Sequence, residues 1–283
     1  MVHITSVKLK SKKLYMNTDI TVLLPDYSGH EKKHKVLWLL HGAGNDDTEW
    51  LYDTNLVEYM NKRDVIVACP TALNSDYGIW NDFGKGYDFP AFFFDELMPF
   101  IWGFFSGSEL SEDNYIAGLS MGGYGATALG LLHPERFGGI AGLGCAMRQY
   151  EDVEPYASMT GAEFRAFAMA NRKLFRTEYG DDGQGIKPKE INVIAKYPTV
   201  QDFYDSFECM YRRFPEKLAE GKLPPMFYAV GTKDTFYAYM KRFEALAEDL
   251  GADNVEFCYP EGYGHNDAMW EFGLKLIIEH FKL

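Results

Sequence analysis

Three stretches of this 283-residue chain, at 36–40, 65–68 and 226–230, are apolar at every position, and shorter versions stand at 115–117 and 140–143. A strand with no polar side must be covered on both faces, which is the situation inside a parallel sheet flanked by helices. Helical periods fill the intervals. Phe89, Phe93, Leu97, Phe100, Ile101 and Phe104 fall on one stripe. Met240, Phe243, Leu246 (or Ala247) and Leu250 form a second, and Met269, Phe272, Leu276 and Ile277 a third. Residues 16–24 behave differently: they alternate, with Ile20, Val22 and Leu24 on one face, as expected of an antiparallel edge strand. The alternation of β and α predicts a doubly wound α/β fold, its central sheet mostly parallel and helices on both faces.

One stretch breaks the alternation. Residues 146–200 carry helical patches over 162–175 and a polar Gly/Asp segment at 180–185, with no convincing strand. Inserted between the strands at 140–143 and 226–230, such a segment lies over the carboxyl edge of the sheet, where ligands bind in open α/β folds. The expectation is a single domain spanning residues 1–283, with a cap insertion at about 146–200. There is no internal repeat.

Charge narrows the partners. The net charge is −13, with the acidic residues spread along the chain. Such a field repels phosphate backbones and anionic lipid, which predicts a small-molecule substrate rather than nucleic acid or membrane. No run of 18 apolar residues exists to span a bilayer. The N-terminal segment lacks the apolar core of a signal peptide. The four cysteines, Cys69, Cys145, Cys209 and Cys258, are widely spaced, sit in apolar surroundings and form no Cys-x-x-Cys. They read as free thiols in a reducing compartment, which predicts a cytoplasmic location. The sequence leaves room for a homo-oligomer.

The chemistry concentrates at Gly118-Leu119-Ser120-Met121-Gly122, a G-x-S-x-G motif preceded by the strand at 115–117 and followed by a small-residue helix at 123–132. A serine on a sharp strand-to-helix turn needs strained backbone angles, and neighbours two positions away must lack side chains. The turn projects the hydroxyl from the sheet edge and aims the following helix N-terminus at it. A serine hydroxyl is a weak nucleophile and needs a base oriented by an acid. In folds built around this turn the chain order is serine, acid, histidine. His265 lies in a Gly-rich loop directly after the strand expected at 255–259, whereas His280 lies in the last helix and His133 ends the helix that Ser120 begins. His265 is therefore the base. Asp234 stands just past the strand at 226–230 and is the acid, although an aspartate there would also suit a helix N-cap. Asp253 and Asp267 are placed worse. The oxyanion donors are the Met121 amide and, from His41-Gly42-Ala43-Gly44, the Ala43 amide, with Gly42 framing the turn and His41 supporting the loop. This chemistry requires no metal and no organic cofactor.

These motifs resemble a known family. His41-Gly42-Ala43-Gly44-Asn45 with Trp50-Leu51 and Thr54-Asn55, the segment 117–126, Gly231-Thr232-Lys233-Asp234 and Gly264-His265 are similar to the bacterial tributyrin esterase branch of the esterase D family, over most of 1–145 and 200–283. The resemblance implies an α/β-hydrolase fold acting on short-chain acyl esters, acetylated or feruloylated plant sugars, or S-formylglutathione. Here Asn266-Asp267 follow the histidine, where that family often has Glu-Trp.

Trp80, Asp82 and Phe83 follow the strand at 65–68 and its loop, a position that commonly lines a pocket, and make candidate substrate-binding residues. Tyr156, Phe164 and Phe167 would form an aromatic wall over Ser120, which is the basis for an aryl acyl group. Two decoys fail on context. His30-Glu31-Lys32-Lys33-His34 spells a zinc-protease motif, but lies in a polar loop rather than on a helix. Asp82-Phe83-Gly84 lacks the other kinase elements. The predicted activity is a serine carboxylesterase working through an acyl-enzyme on Ser120. The alternatives are a thioesterase or acyltransferase with the same triad, and, more remotely, a non-catalytic binding module.

Overall fold

The computed structural model describes residues 1–26, 32–145, 147, 154–171 and 194–283. The strands of the main sheet are β1 (His3–Lys10), β2 (Asn17–Leu24), β3 (Lys35–Leu40), β4 (Val65–Pro70), β7 (Asn114–Leu119), β8 (Gly139–Leu143), β9 (Met226–Ala229) and β10 (Val255–Cys258); a separate two-stranded ribbon is made by β5 (Ile79–Trp80) and β6 (Tyr87–Asp88). The sheet order is β1-β2-β4-β3-β7-β8-β9-β10. From β4 to β10 all neighbours are parallel, while β2 is antiparallel to both β1 and β4. This is the α/β-hydrolase arrangement, with β7 in the middle.

The helices are α1 (Glu49–Asp53), α2 (Leu56–Met60), α3 (Phe89–Phe92), α4 (Met98–Phe104), α5 (Met121–Leu132), α6 (Gly161–Ala170), α7 (Val200–Asp205), α8 (Met210–Ala219), α9 (Tyr237–Asp249) and α10 (Asp267–His280). Two cores lie on opposite faces of the sheet. One gathers side chains of α3, α4, α5, α8 and α9; the other gathers those of α1, α2 and α10. The apolar runs are buried at every position of β4 and β7, as strands covered on both faces must be. Asn114, fully buried at the start of β7, accepts from the indoles of Trp38 and Trp102 and donates to the carbonyls of Ser108 and Leu110, leaving no polar atom of its amide unsatisfied.

Two expectations need correction. The edge strand is β1; the segment at 16–24 lies one place in, paired on both sides as β2, with Leu23 fully buried and Leu24 only half-buried. The stripe beginning at Phe89 does not run straight. A π turn at Phe93–Leu97 inserts a residue, and the Met98 amide bonds back to the Phe93 carbonyl. An extra residue rotates the rest of the helix by about 100°. Phe104 therefore faces solvent, and Met98 and Trp102 take the buried positions. Pro99, which has no N–H to give, sits just beyond the wide turn.

Of the predicted cap, residues 146, 148–153 and 172–193 lie outside the described residues, including the polar segment 180–185. Its described parts start their helices with capping boxes, Thr160 with Glu163 at α6 and Thr199 with Asp202 at α7. They enclose a small separate core of Phe164, Ala168, Ile194, Val200, Phe203 and Cys209. Phe164 is therefore a core residue of this segment, and Tyr156 packs on it and on Phe167. Among the described residues no helix is long and apolar enough to cross a membrane.

Candidate active site

Ser120 sits at the end of β7 with φ +50° and ψ −115°, and α5 begins at the next residue. The sequence predicts that helix over 123–132, so it starts two residues earlier than expected. Gly118 and Gly122, two positions either side of the serine, are steric necessities. A Cβ on Gly122 would stand 2.2 Å from the Leu40 carbonyl oxygen, and one on Gly118 2.3 Å from the Gly122 backbone. The strained serine is braced by its own amide donating to the Leu143 carbonyl at 2.7 Å. Its side chain lies at the N-terminus of a 12-residue helix, whose amides favour negative charge there.

His265 Nε2 lies 3.0 Å from Ser120 Oγ, and His265 Nδ1 lies 2.9 Å from Asp234 Oδ2. The Asp234 side chain is fully buried, and the imidazole is 29% exposed. Asp234 does not cap α9, whose N-cap is Phe236: its Oδ1 accepts from the Phe236 amide at 2.8 Å in the turn before the helix, and its Oδ2 faces the imidazole. A carboxylate at Nδ1 fixes the proton on that nitrogen and leaves Nε2 to accept from the hydroxyl. Trp270 and Phe236 close on the ring edge-on at 4.8 and 5.2 Å. Three hydrogen bonds stitch the two loops: Thr232 amide to Pro260 carbonyl, Lys233 amide to Tyr263 carbonyl, and Gly262 amide to the Thr232 hydroxyl. Asn266 accepts from the Met269 amide, capping α10 one residue past the imidazole, which is a local reason for asparagine at that position.

The loop after β3 is pinned at several points. His41 Nδ1–H donates to the Gly42 carbonyl at 2.7 Å, and its Nε2 accepts from the Ala72 amide at 2.8 Å. Burial pushes this imidazole's pKa down, consistent with a neutral ring that both donates and accepts. Tyr77 donates its hydroxyl to the His41 carbonyl at 2.8 Å. Gly42 donates its amide to Glu49 Oε2 at 2.5 Å, and Gly44 donates to Asn74 Oδ1 at 2.7 Å. Gly42 thus frames the turn but has no amide to spare. Between these two, the Ala43 amide has no hydrogen-bond partner among the described residues.

Trp80 and Asp82, with Asn81, Arg165, Met169 and Lys196, line a cavity of about 770 Å³. Trp80 and Phe83, with Asn74 and Tyr87, line another of about 370 Å³. Neither cavity is lined by Ser120 or His265. Trp80 borders both and is fixed by its indole donating to the Ser75 carbonyl at 2.7 Å.

Sequence reasoning missed the residues that hold this region. Lys196 and Glu208 form a buried ion pair at 2.5 Å, with the ammonium 4.9 Å from the Trp80 ring centre. Tyr197 donates to the other Glu208 oxygen, and Tyr124, one turn after Ser120, donates to the Glu208 carbonyl at 2.9 Å. Burial, with Glu208 beside it, pushes the Tyr197 phenol far up. Glu49, buried beside Trp50, was missed as well. Of the zinc-like decoy, His30 and Glu31 lie outside the described residues, and His34 pairs with Asp64 at 2.5 Å. Among the described residues no group of three or more His, Cys, Asp or Glu could hold a metal ion.

A full-length comparison pairs the chain, at 28% identity over 99% of its length, with 97% of an acetyl esterase from Caldicellulosiruptor saccharolyticus. The S-formylglutathione hydrolase FrmB of Staphylococcus aureus superposes with a TM-score of 0.75 at 22% identity, over 99% of each chain. A ferulic acid esterase superposes at 0.73 and 21% identity, over 99% of this chain and 97% of its own. These two likenesses speak to the fold. The model of the esterase family (putative esterase) matches residues 11–173, more than half the chain, and takes in the pinned loop after β3 and the serine turn; the chain belongs to that family and is an ester hydrolase.

Proposed function

We propose that this chain is a serine carboxylesterase for short-chain or aryl acyl esters, of acetyl or feruloyl type, working through an acyl-enzyme on Ser120. The observation that carries the reading is the hydrogen-bonded chain from Ser120 Oγ through the imidazole to the buried Asp234 carboxylate. His265 takes the serine proton as Oγ attacks the acyl carbon, and the Met121 and Ala43 amides receive the oxyanion. His265 then protonates the departing alkoxide, and the alcohol leaves. Water activated by the same imidazole hydrolyses the acyl-enzyme, while Asp234 keeps the proton on Nδ1.

The acetyl esterase relative supports a small acyl group. The aromatic lining of the smaller cavity, from Trp80, Phe83 and Tyr87, supports an aryl one, and its size lies within the usual range for ligand sites. Trp80 and Asp82 are proposed to meet the alcohol portion in the larger cavity. The four cysteines are unpaired, which supports a reducing, cytoplasmic setting.

A fluorophosphonate probe tests the nucleophile: it labels the wild type and not Ser120→Ala. A panel of p-nitrophenyl acetate, methyl ferulate and S-formylglutathione tests the acyl class. Turnover of the first two supports the proposal. Turnover of the thioester alone moves the assignment to a thioesterase.

A further inference from the structure

We propose that Glu49 is a positioning residue for oxyanion stabilisation: its carboxylate holds the loop after β3 so that the Ala43 amide is presented to the reacting carbonyl. The inference rests on the reading of Ser120 as nucleophile and goes beyond it by naming what sets the geometry of the second donor.

Both carboxylate oxygens are spent on this loop. Oε2 accepts from the Gly42 amide at 2.5 Å, and Oε1 accepts from the Asn45 side-chain amide. The carboxylate therefore bridges the loop from Gly42 to Asn45, with Ala43 inside the bridge. The opposite side of the Gly42 residue is held by His41 Nδ1–H on its carbonyl, and the Gly44 amide by Asn74. With its neighbours engaged in this way, the Ala43 amide has no hydrogen-bond partner among the described residues, the condition an oxyanion donor must meet before substrate arrives.

Glu49 is itself immobilised. It lies in the first turn of α1, is 7% exposed, and its neighbour Trp50 donates its indole to the Leu40 carbonyl at 3.0 Å, tying the helix to the end of β3. Burial pushes its carboxyl pKa up against the Gly42 and Asn45 hydrogen bonds, and Asp53 and Asp267 add to the rise. A negative charge behind an oxyanion site opposes the charge that develops there. The contribution of Glu49 is therefore geometric, through its acceptor oxygens. That separates it from a charge effect: glutamine keeps an acceptor for the Gly42 amide, leucine keeps none, and aspartate keeps the charge but retracts it by one methylene.

The experiment compares Glu49→Leu, Glu49→Asp and Glu49→Gln in the full chain. It measures kcat and KM on p-nitrophenyl acetate and the inhibition constant of an alkyl trifluoromethyl ketone, whose adduct places an oxyanion on the same amides. Leucine and aspartate are expected to lower kcat by roughly 30- to 100-fold, short of the loss for deleting a donor outright. KM should stay within threefold, and inhibitor affinity should fall in parallel with kcat. Glutamine is expected to recover most of the lost rate. Wild-type kcat in Glu49→Leu overturns the proposal, as does glutamine as defective as leucine. A rise in KM with kcat and inhibitor affinity unchanged overturns it too. If the leucine variant does not fold, the aspartate and glutamine pair decides by the same criteria. Fluorophosphonate labelling keeps the two readings apart: a wild type that does not label sinks the nucleophile, whereas variants that label normally with wild-type kcat sink the role of Glu49 alone.

Discussion

Replacing Gly122 by alanine tests the steric logic of the serine turn. The added methyl carbon would lie 2.2 Å from the Leu40 carbonyl oxygen, 2.6 Å from its carbon and 2.7 Å from the His41 oxygen. All three obstacles are backbone, so no rotamer change relieves them. Restoring ordinary contact requires the start of α5 to retreat from the end of β3 by about 1 Å, given favourable separations near 3.5 Å. Overpacking of this kind costs about 1–3 kcal/mol. In a chain of this size that lowers the melting temperature by about 2–5 °C. The same retreat carries Ser120 and the Met121 amide away from the loop bearing Ala43. A misplacement of about 1 Å at reacting groups can cost on the order of 100-fold in rate. The assay is kcat on p-nitrophenyl acetate beside a thermal melt, with Gly103→Ala as control. Gly103 lies in α4, where an added Cβ meets nothing within 4 Å, so the control should melt no lower than wild type and keep its rate. A Gly122→Ala variant with kcat within threefold of wild type and an unchanged melt would refute the argument.

Two further substitutions have defined outcomes. Asp234→Asn keeps an oxygen for the Phe236 amide but turns an NH2 toward His265 Nδ1, forcing the ring proton onto Nε2, where it cannot accept from Ser120; kcat should fall by roughly 10³–10⁴ with the fold intact, and a loss under tenfold would contradict the tautomer argument. Glu271 on α10 resists burial through hydrogen bonds from Tyr59, from the Asn55 side chain and backbone, and from Lys275, which hold its carboxyl at about 2 against an ordinary value of 4.5. Because the folded value is the lower one, this stabilisation is complete above pH 4.5 and disappears as pH falls through 2. The gap corresponds to roughly 3 kcal/mol at most. Glu271→Gln should therefore lower the urea midpoint at pH 7, and the difference from wild type should shrink between pH 4.5 and 2; an equal difference at both ends would count against the linkage.

The legible parts of this molecule were those where one requirement acts on consecutive residues. A strand buried on both faces must be apolar throughout, so the sequence pattern for β3, β4 and β9 was unambiguous. The β1 strand, HITSVKLK, mixes charge with alternating half-buried residues at a sheet edge and carried no such run. The stripe from Phe89 misled because a π turn breaks a 3.6-residue period, and periodicity cannot register an inserted residue. Ser120, Asp234 and His265 were singled out by their positions relative to strand ends, and the structure brings them into hydrogen-bond contact. Glu49, Glu208 and Lys196 were not, because a buried charge shows no sign in the sequence of the partner that satisfies it. Lys196 and Glu208 are 12 residues apart and meet only through the fold, while Glu49 meets a backbone amide that any residue could have supplied.

Strand spacing explains why the triad's chain order was readable and its distances were not. Neighbouring strands lie about 4.8 Å apart, so β9 stands roughly 10 Å and β10 roughly 14 Å from β7 across the sheet. A parallel sheet brings all three loops to one edge but leaves their side chains far beyond hydrogen-bond reach. Asp234 stands five residues past the end of β9 and His265 seven past the end of β10, so the loop with more of the sheet to recross is the longer. Seven residues can extend well past roughly 14 Å, which leaves slack, and slack alone would let the imidazole wander. The hydrogen bonds between the 231–234 and 260–263 segments remove it by tying the two loops into one unit. The 3.0 Å contact at Ser120 is thus set by backbone pairing between loops, a property that no motif spells, on top of a topology that the motif order does.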